Sequence, residues 1–423
     1  MDGLSRYRDD DIPVPFDPLT DVPEDTNILL KTLQPYFEET VELTSPGHWS
    51  IGSLMLCEKV EEGQKVPSDV VCSWSDEGKT YCIRKRPTPR ITIDGEPKGD
   101  ILTGRVSRGY NAALWMLSPN VFCKVKSWAE GLTTEASTIR FVNKHVPSIP
   151  TEEIICEWID QKWKRTVMLS RRVAGTRYNE AWPRLTIIQR LQVAHEVAGH
   201  FKELAKHESD YVETVSGGAI AGQYSLRIRE TLPAWKPRIE SRVSQEDHFE
   251  YLKRQDEGIE PLDADDPFVL QHVDCGPKHF FVTIPTDPLE APKVTAIMYW
   301  EGAGYLPKWR VATEPRLNRN FAIYTPPILQ DSTIVYPTPP KDFADWMWML
   351  SHACVRAGFP LYTSYMMRQG RRALRQYPAA RIEFAVSTTN LPGAQVAQGA
   401  EAAGAEAAPE LLLLPLLRRF LSI

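Results

Sequence analysis

His272-Val273-Asp274-Cys275-Gly276-Pro277-Lys278-His279-Phe280-Phe281-Val282 and, downstream, Ile297-Met298-Tyr299-Trp300-Glu301-Gly302-Ala303-Gly304-Tyr305 are the two stretches that decide how this chain is read. The first is a turn-rich segment carrying His272, Asp274, Pro277 and His279 that runs into the apolar Phe280-Phe281-Val282-Thr283-Ile284. The second follows Lys293-Val294-Thr295-Ala296-Ile297-Met298 and presents Tyr299 and Glu301. Short apolar runs bounded by turn residues read as strands, so a strand pair is predicted here with the polar loops beside it. Loop aspartates are commonly turn-formers, so Asp274 alone decides nothing.

Composition bounds the surroundings. A chain of 423 residues suffices for one two-lobed enzyme or two ordinary domains. Hydrophobic content of 42% and charged content of 25% are those of a soluble globular protein. A net charge of -6 and a pI near 5.9 argue against bulk attraction to nucleic acid or anionic membranes, while leaving room for a local basic cleft. The cysteines are scattered with no C-x-x-C pair, which predicts reduced thiols in a reducing compartment. The N-terminus leads into Asp9-Asp10-Asp11 without the basic and apolar regions of a signal peptide. No apolar run reaches the roughly 20 residues of a membrane-spanning helix, so a cytoplasmic location is expected. His195 and His200 flank Glu196 but stand five apart. That spacing separates them by about 140° around a helix, unlike H-E-x-x-H, and they read as helix-surface residues.

Residues 1–50 are rich in proline and acidic residues with little periodicity, predicting an extended arm, and the N-terminal extension is placed at 1–69. Residues 70–172 predict a strand-rich small lobe. Val71-Cys72-Ser73-Trp74 and Thr80-Tyr81-Cys82-Ile83 flank Asp76-Glu77-Gly78 as a hairpin, and Leu114–Leu117 with Val121–Lys126 form a second. A helix is predicted from Thr134 to His145 with Glu135, Ile139, Val142 and Val146 on one face. Strands at Ile154–Trp158 and Val167–Ser170 end at Arg172-Val173-Ala174-Gly175, a hinge into the large lobe, 173–385. There Leu185–His207 predicts a long helix with a capping box from Thr186 and Gln189. Its stripe is Ile188, Leu191, Val197, Phe201, Leu204 and Ala205, and Trp346–Gly358 predicts another amphipathic helix. Residues 386–423 read as a disordered Ala/Gly-rich tail with a Leu-rich end, a docking or membrane-surface peptide or an incidental tail.

Four blocks in this order resemble the aminoglycoside phosphotransferase and choline-kinase-like family, a fungal-type branch in particular. The catalytic loop of that family reads H-G-D-x-x-P-x-N before an apolar strand, and its metal loop reads I-D-W-E-x-A-G; His272–Val282 and Ile297–Gly304 are similar to them. Phe141–Pro150 is similar to F-V-x-x-H-x-x-I-P-V-P, and Arg172–Leu185 to R-V-x-G-x-x-L-x-x-A-W-P-x-L. The resemblance spans residues 100–325 and implies an α+β, two-lobed protein kinase-like fold, with a strand-rich small lobe and a mainly helical large lobe. It implies that Asp274 holds the place of the catalytic base and that His272 braces its loop. It also implies that Lys124 contacts phosphate and Glu135 pairs with it; Lys126 lies two residues on, on the same strand face, which leaves the register open. Gly109, in Ser107-Arg108-Gly109-Tyr110-Asn111, stands where a phosphate-covering loop would lie. The implied cofactors are ATP and Mg²⁺.

Two positions depart from the pattern. The family's Asn is His279 here and its second Asp is Tyr299. Mg²⁺ takes hard oxygen ligands, whereas imidazole suits Zn²⁺ and similar metals and a phenol is neutral at pH 7. Glu301, two residues past Tyr299, is the remaining carboxylate that could reach a metal. The expectation is therefore a pseudokinase that binds a nucleotide, metabolite or protein. The alternatives are an active ATP-dependent kinase of a small hydroxylated molecule, with metal held through Glu301 or His279, and an accessory protein of small-molecule metabolism with a vestigial cleft. The expected partner is a small molecule, with no nucleic acid and no membrane span, and a protein partner is left open.

Overall fold

Side chains alternate across a strand, so a strand with one apolar edge must lay that face on another layer. The first half of the chain does this twice. The computed structural model describes residues 40–90, 105–108, 112–221, 239–240, 242–255, 266–317, 321–323, 328–330, 333–335 and 345–362. One antiparallel sheet has β1 (Val41–Ser45), β2 (His48–Ile51), β3 (Met55–Val60), β4 (Val70–Asp76) and β5 (Lys79–Lys85) in the order β1-β2-β3-β5-β4. The other has β6 (Arg105–Arg108), β7 (Ala112–Ser118), β8 (Val121–Ser127), β9 (Ile154–Asp160) and β10 (Arg165–Arg171) in the order β6-β7-β8-β10-β9. Leu43, Trp49, Cys57, Ile83 and Cys72 lie side by side across the first sheet. Trp115, Cys123, Leu169 and Cys156 do so across the second. Both rows feed one apolar core with Ile51, Val125 and Val167, so the sheets stack as a sandwich.

Both predicted hairpins form. Glu77 (φ 47°) and Gly78 (φ 74°) make the tight turn between β4 and β5, both in the left-handed region that matches the twist of the strands. The expected N-terminal arm is corrected over residues 41–60, which are three strands of the first sheet. Buried polar clamps fasten the sheets together. Asp160, at the end of β9, accepts from the Ser53 N–H (2.5 Å), Ser53 Oγ (2.9 Å) and the Trp163 N–H (3.0 Å). Gly52 (φ 59°) gives this carboxylate room, since a Cβ there would lie 2.5 Å from Asp160 Oδ2. Asp76 accepts from Ser118 Oγ, Asn120 Nδ2 and the Asn120 N–H, tying β4 to the β7–β8 hairpin.

α1 (Glu135–His145) starts at Thr134, whose hydroxyl caps the Ser137 N–H, and it buries Ala136, Ile139 and Val142. After β11 (Thr176–Arg177) comes α2 (Ile187–Leu204), where both bonds of the predicted capping box form. Its buried stripe is Val193, Ala194, Val197, Ala198, Phe201 and Leu204. Ile188 is exposed and Leu191 half-buried, because the packed face begins a turn later than predicted. β12 (Phe268–Gln271) pairs with β15 (Gly304–Leu306), and β13 (Phe280–Val282) pairs with β11 and with β14 (Val294–Ile297). α3 (Arg310–Leu317) and α4 (Asp345–Arg356) are among the further helices, with α4 packed on both α2 and α3. The fold is α+β, strand-rich first and mainly helical after, as expected. Gly109, residues 1–39 and residues 386–423 lie outside the described residues. Among the described residues no helix is long and apolar enough to cross a membrane.

Candidate functional site

β8 supplies the centre of the site through its alternation. Cys123 and Val125 point into the sandwich, so Lys124 and Lys126 emerge on the opposite face. Lys124 Nζ lies 2.6 Å from Glu135 Oε2, at the start of α1, and 2.8 Å from Oε1. Both side chains are buried, and such a pair persists only when its remaining valences are met. The Trp300 N–H meets one, donating to Glu135 Oε1 at 3.1 Å. Lys126 does not share Glu135; it pairs with Glu301, whose Oε2 also lies 3.4 Å from Lys124 Nζ. The Tyr299 ring sits 4.0 Å from Lys124 Nζ, a cation–π contact.

A residue absent from the sequence reading joins this cluster. Glu152 is 2% exposed, its Oε1 has no hydrogen-bond partner, and its charge faces Lys124. Glu135, Glu301 and Glu152 therefore all act on Lys124. Burial pushes the Lys124 pKa down, but Glu135 and Glu301 more than reverse this, and it stays charged. Burial, then Glu301, pushes the Glu135 carboxyl up to about 7 against the pull of Lys124. Burial raises Glu152 as well. Burial would raise Glu301 too, yet Lys124 and Lys126 hold it well below the usual carboxylate range. The excess negative charge is thus relieved by protonation at Glu135 or Glu152 rather than at Glu301.

The loop between β12 and β13 packs against the same corner. His272 is 1% exposed, its ring lies edge-on to Trp300 at 4.5 Å, and its Nε2 donates to the Met298 carbonyl at 2.9 Å. Burial drives its pKa down to about 4, so the ring is neutral, and its buried Nδ1 has no partner. Val273 follows at φ 57°, a left-handed conformation that costs a β-branched residue about 1–3 kcal/mol. Burial pushes the Asp274 carboxyl up, but the neighbouring His279 and His272 bring it below its ordinary value. Asp274 Oδ1 makes no hydrogen bond and lies 3.4 Å from His279 Nδ1.

The two departing positions meet each other. His279 donates from Nδ1 to the Asp274 carbonyl at 2.6 Å, and its ring lies 4.5 Å from that of Tyr299. Tyr299 holds a left-handed backbone at φ 71° that brings its ring between His279 and Lys124. Mg²⁺ does not fit this donor set. One imidazole nitrogen is committed to a carbonyl, the phenol presents a ring face to an ammonium, and Glu301 is held by two lysines. Among the described residues, no three His, Cys, Asp or Glu side chains converge as a metal-binding set. His195 and His200 stay apart from the site on α2, where Glu196 accepts from the Val294 N–H at 3.0 Å.

No family model matches the chain and no curated protein matches it. Among solved structures, it is similar to a thermostable mutant of aminoglycoside phosphotransferase APH(4)-Ia in a ternary complex with AMP-PNP and hygromycin B. That match is 16% identical over 67% of this chain and 87% of the other, with a TM-score of 0.36. It is also similar to APH(3'')-Id from Streptomyces rimosus, at 13% identity over 64% and 91% of the two chains and a TM-score of 0.38. The GDP complex of aminoglycoside 2'-phosphotransferase-IIIa matches at 12% identity over 60% and 81%, with a TM-score of 0.33. Identities of this size say nothing about substrate. Within the chain, a buried strand lysine is paired with a helix glutamate, beside the His272-x-Asp274 loop carried between two strands.

Proposed function

We propose that this chain is a pseudokinase of the aminoglycoside phosphotransferase type, of a fungal-type branch, acting in the cytoplasm. Its cleft, between a small lobe ending near residue 172 and a large lobe of residues 173–385, takes a nucleotide, metabolite or protein without efficient phosphoryl transfer. One observation carries this reading: the rings of His279 and Tyr299 occupy both metal-ligand positions, 4.5 Å apart, with Tyr299 capping Lys124 at 4.0 Å. Phosphoryl transfer depends on divalent metal to bridge and neutralise the phosphates. Here Glu301, the remaining carboxylate that could reach a metal, is held by Lys124 and Lys126.

A second reading, an active ATP-dependent kinase of a small hydroxylated molecule, is supported by Asp274. Its carboxylate is ionised, the state a general base needs. Thermal unfolding with ATP alone, with Mg²⁺-ATP and with Mn²⁺-ATP separates the two. Ligand at 100 times Kd stabilises by about 2.7 kcal/mol, and the pseudokinase reading expects no metal-dependent part of any shift. A large Mg²⁺-dependent shift, with phosphate transferred to a hydroxylated acceptor, would overturn it. His279→Asn with Tyr299→Asp should together create metal-dependent nucleotide binding, and either alone should do little. If the double variant binds no better than the parent, the cleft is vestigial.

A further inference from the structure

The fold gathers cysteines that the sequence scatters. Cys57 and Cys72 flank Ile83 in the inner row of the first sheet, while Cys123 and Cys156 flank Leu169 in the inner row of the second. The rows face each other across one core. β4 and β9 are the last strands of their sheets and pack together, which puts Cys72 and Cys156 at one open edge of the sandwich. Both side chains pack against the shared core from these two neighbouring strands. Both are half-buried, whereas Cys57 and Cys123 are sealed in the interior at 0% exposure. All four are free thiols.

We propose that Cys72 and Cys156 are a redox-modifiable pair, closed by a hydroperoxide into a reversible disulfide that staples the first sheet to the second. Reactive cysteines are thiolates with solvent access, and the roles divide within the pair. The neighbouring Cys156 lowers the Cys72 pKa, while the Cys156 thiol is pushed up by Cys72 and by burial. Cys72 is therefore the attacking sulfur. Its thiolate forms an S–O bond as the peroxide O–O bond breaks, leaving a sulfenic acid, and the departing hydroxide takes up a proton as water. The Cys156 sulfur then attacks the sulfenic sulfur, forming S–S as S–O breaks, and the leaving hydroxide takes the Cys156 proton as a second water. Two thiols lose two electrons and the peroxide gains them. A dithiol reductant reverses the exchange. The staple closes the chain between residues 72 and 156, and such a closure restricts the unfolded state.

The test uses the full chain, reduced, treated with hydrogen peroxide, alkylated, and digested without reductant for mass spectrometry. The expected product is a peptide containing Cys72 joined to one containing Cys156, lighter by two hydrogens, with an elevated Tm that dithiothreitol returns to its starting value. In Cys156→Ser, dimedone should label Cys72 as a trapped sulfenic acid. In Cys72→Ser, Cys156 should remain unlabelled. Two alkylated thiols after a peroxide dose that oxidises surface methionines would overturn the proposal. So would a Cys72–Cys156 link found only between two copies of the chain.

Discussion

The two faces of β8 are built from one run of seven residues and obey different physics. On one face Cys123 and Val125 are fully buried among aliphatic and aromatic side chains of both sheets. On the other, Lys124 and Lys126 meet Glu135 and Glu301, with Glu152 near by. Apolar packing is non-directional, and its contribution scales with the apolar area removed from water. The charged face is a closed set in which the state of every carboxylate depends on which lysine it holds. Loss of one member there should be repaired only by loss of its partner.

The largest effect expected on this contrast follows from Lys124→Met. It leaves Glu135 buried with the Trp300 N–H as its remaining donor, and breaking a buried pair on one side costs about 3–5 kcal/mol. Adding Glu135→Leu should restore most of the loss, because an apolar replacement of the whole pair is close to neutral. On the opposite face Leu169→Ala should cost about 2–5 kcal/mol and Leu169→Met less than about 1.5 kcal/mol, with no partner change needed. Urea midpoints of these variants measure both. Additive losses at Lys124 and Glu135 would show that the two faces do not differ.

The same contrast explains what could be read from the sequence. Glu77-Gly78 announced its hairpin because the turn is a local backbone requirement, and Thr186 with Gln189 announced α2 because a capping box closes within four residues. The first sheet was missed over residues 41–60. Its period-two signal was present, in Trp49 and Ile51 and again in Met55 and Cys57, but short and interrupted by turns. Those strands become a sheet through the pairing of β3 with β5, some twenty-five residues on. Lys124, Glu135 and Glu301 were reached through their resemblance to family motifs, and the geometry then gave Glu135 to Lys124 and Glu301 mainly to Lys126. Glu152 could not be found so, because beside Pro150 and Thr151 it reads as a loop acid and only tertiary packing buries it. The exposed Ile188 and half-buried Leu191 show the converse, apolar residues that no neighbouring layer reaches.

His272 offers a test at the neutral side of the site. Its pKa falls from 6.5 in the unfolded chain to about 4 in the native state, so the native protein binds fewer protons between those values. Stability is therefore retained above pH 6.5 and lost as pH falls toward 4, by roughly 3 kcal/mol for this one ring. His272→Gln should show a shallower acid limb in denaturant midpoints over that window, whatever its offset at pH 7. An unchanged slope would mean that His272 is protonated as readily in the fold as in solution, and that the orphaned Nδ1 finds an acceptor.

The smallest effect is expected at Lys126, and it sets the boundary of the interdependent cluster. The Lys126 side chain is 14% exposed and that of Glu301 28%, against 8% and 6% for Lys124 and Glu135. A pair with this access to water is screened, and its loss costs no more than about 1 kcal/mol. Glu301 also keeps Lys124 at 3.4 Å, so Lys126→Ala does not strand a charge as Lys124→Met does. The expected result is a urea midpoint close to that of the parent. A loss as large as that of Lys124→Met would place Lys126 inside the closed set, and two adjacent cations on one strand face would then have to be treated as a single unit. In that case the excess carboxylate charge, left to one lysine, should push Glu135 further toward its protonated form, and the loss should shrink as the pH is lowered from 8 to 6.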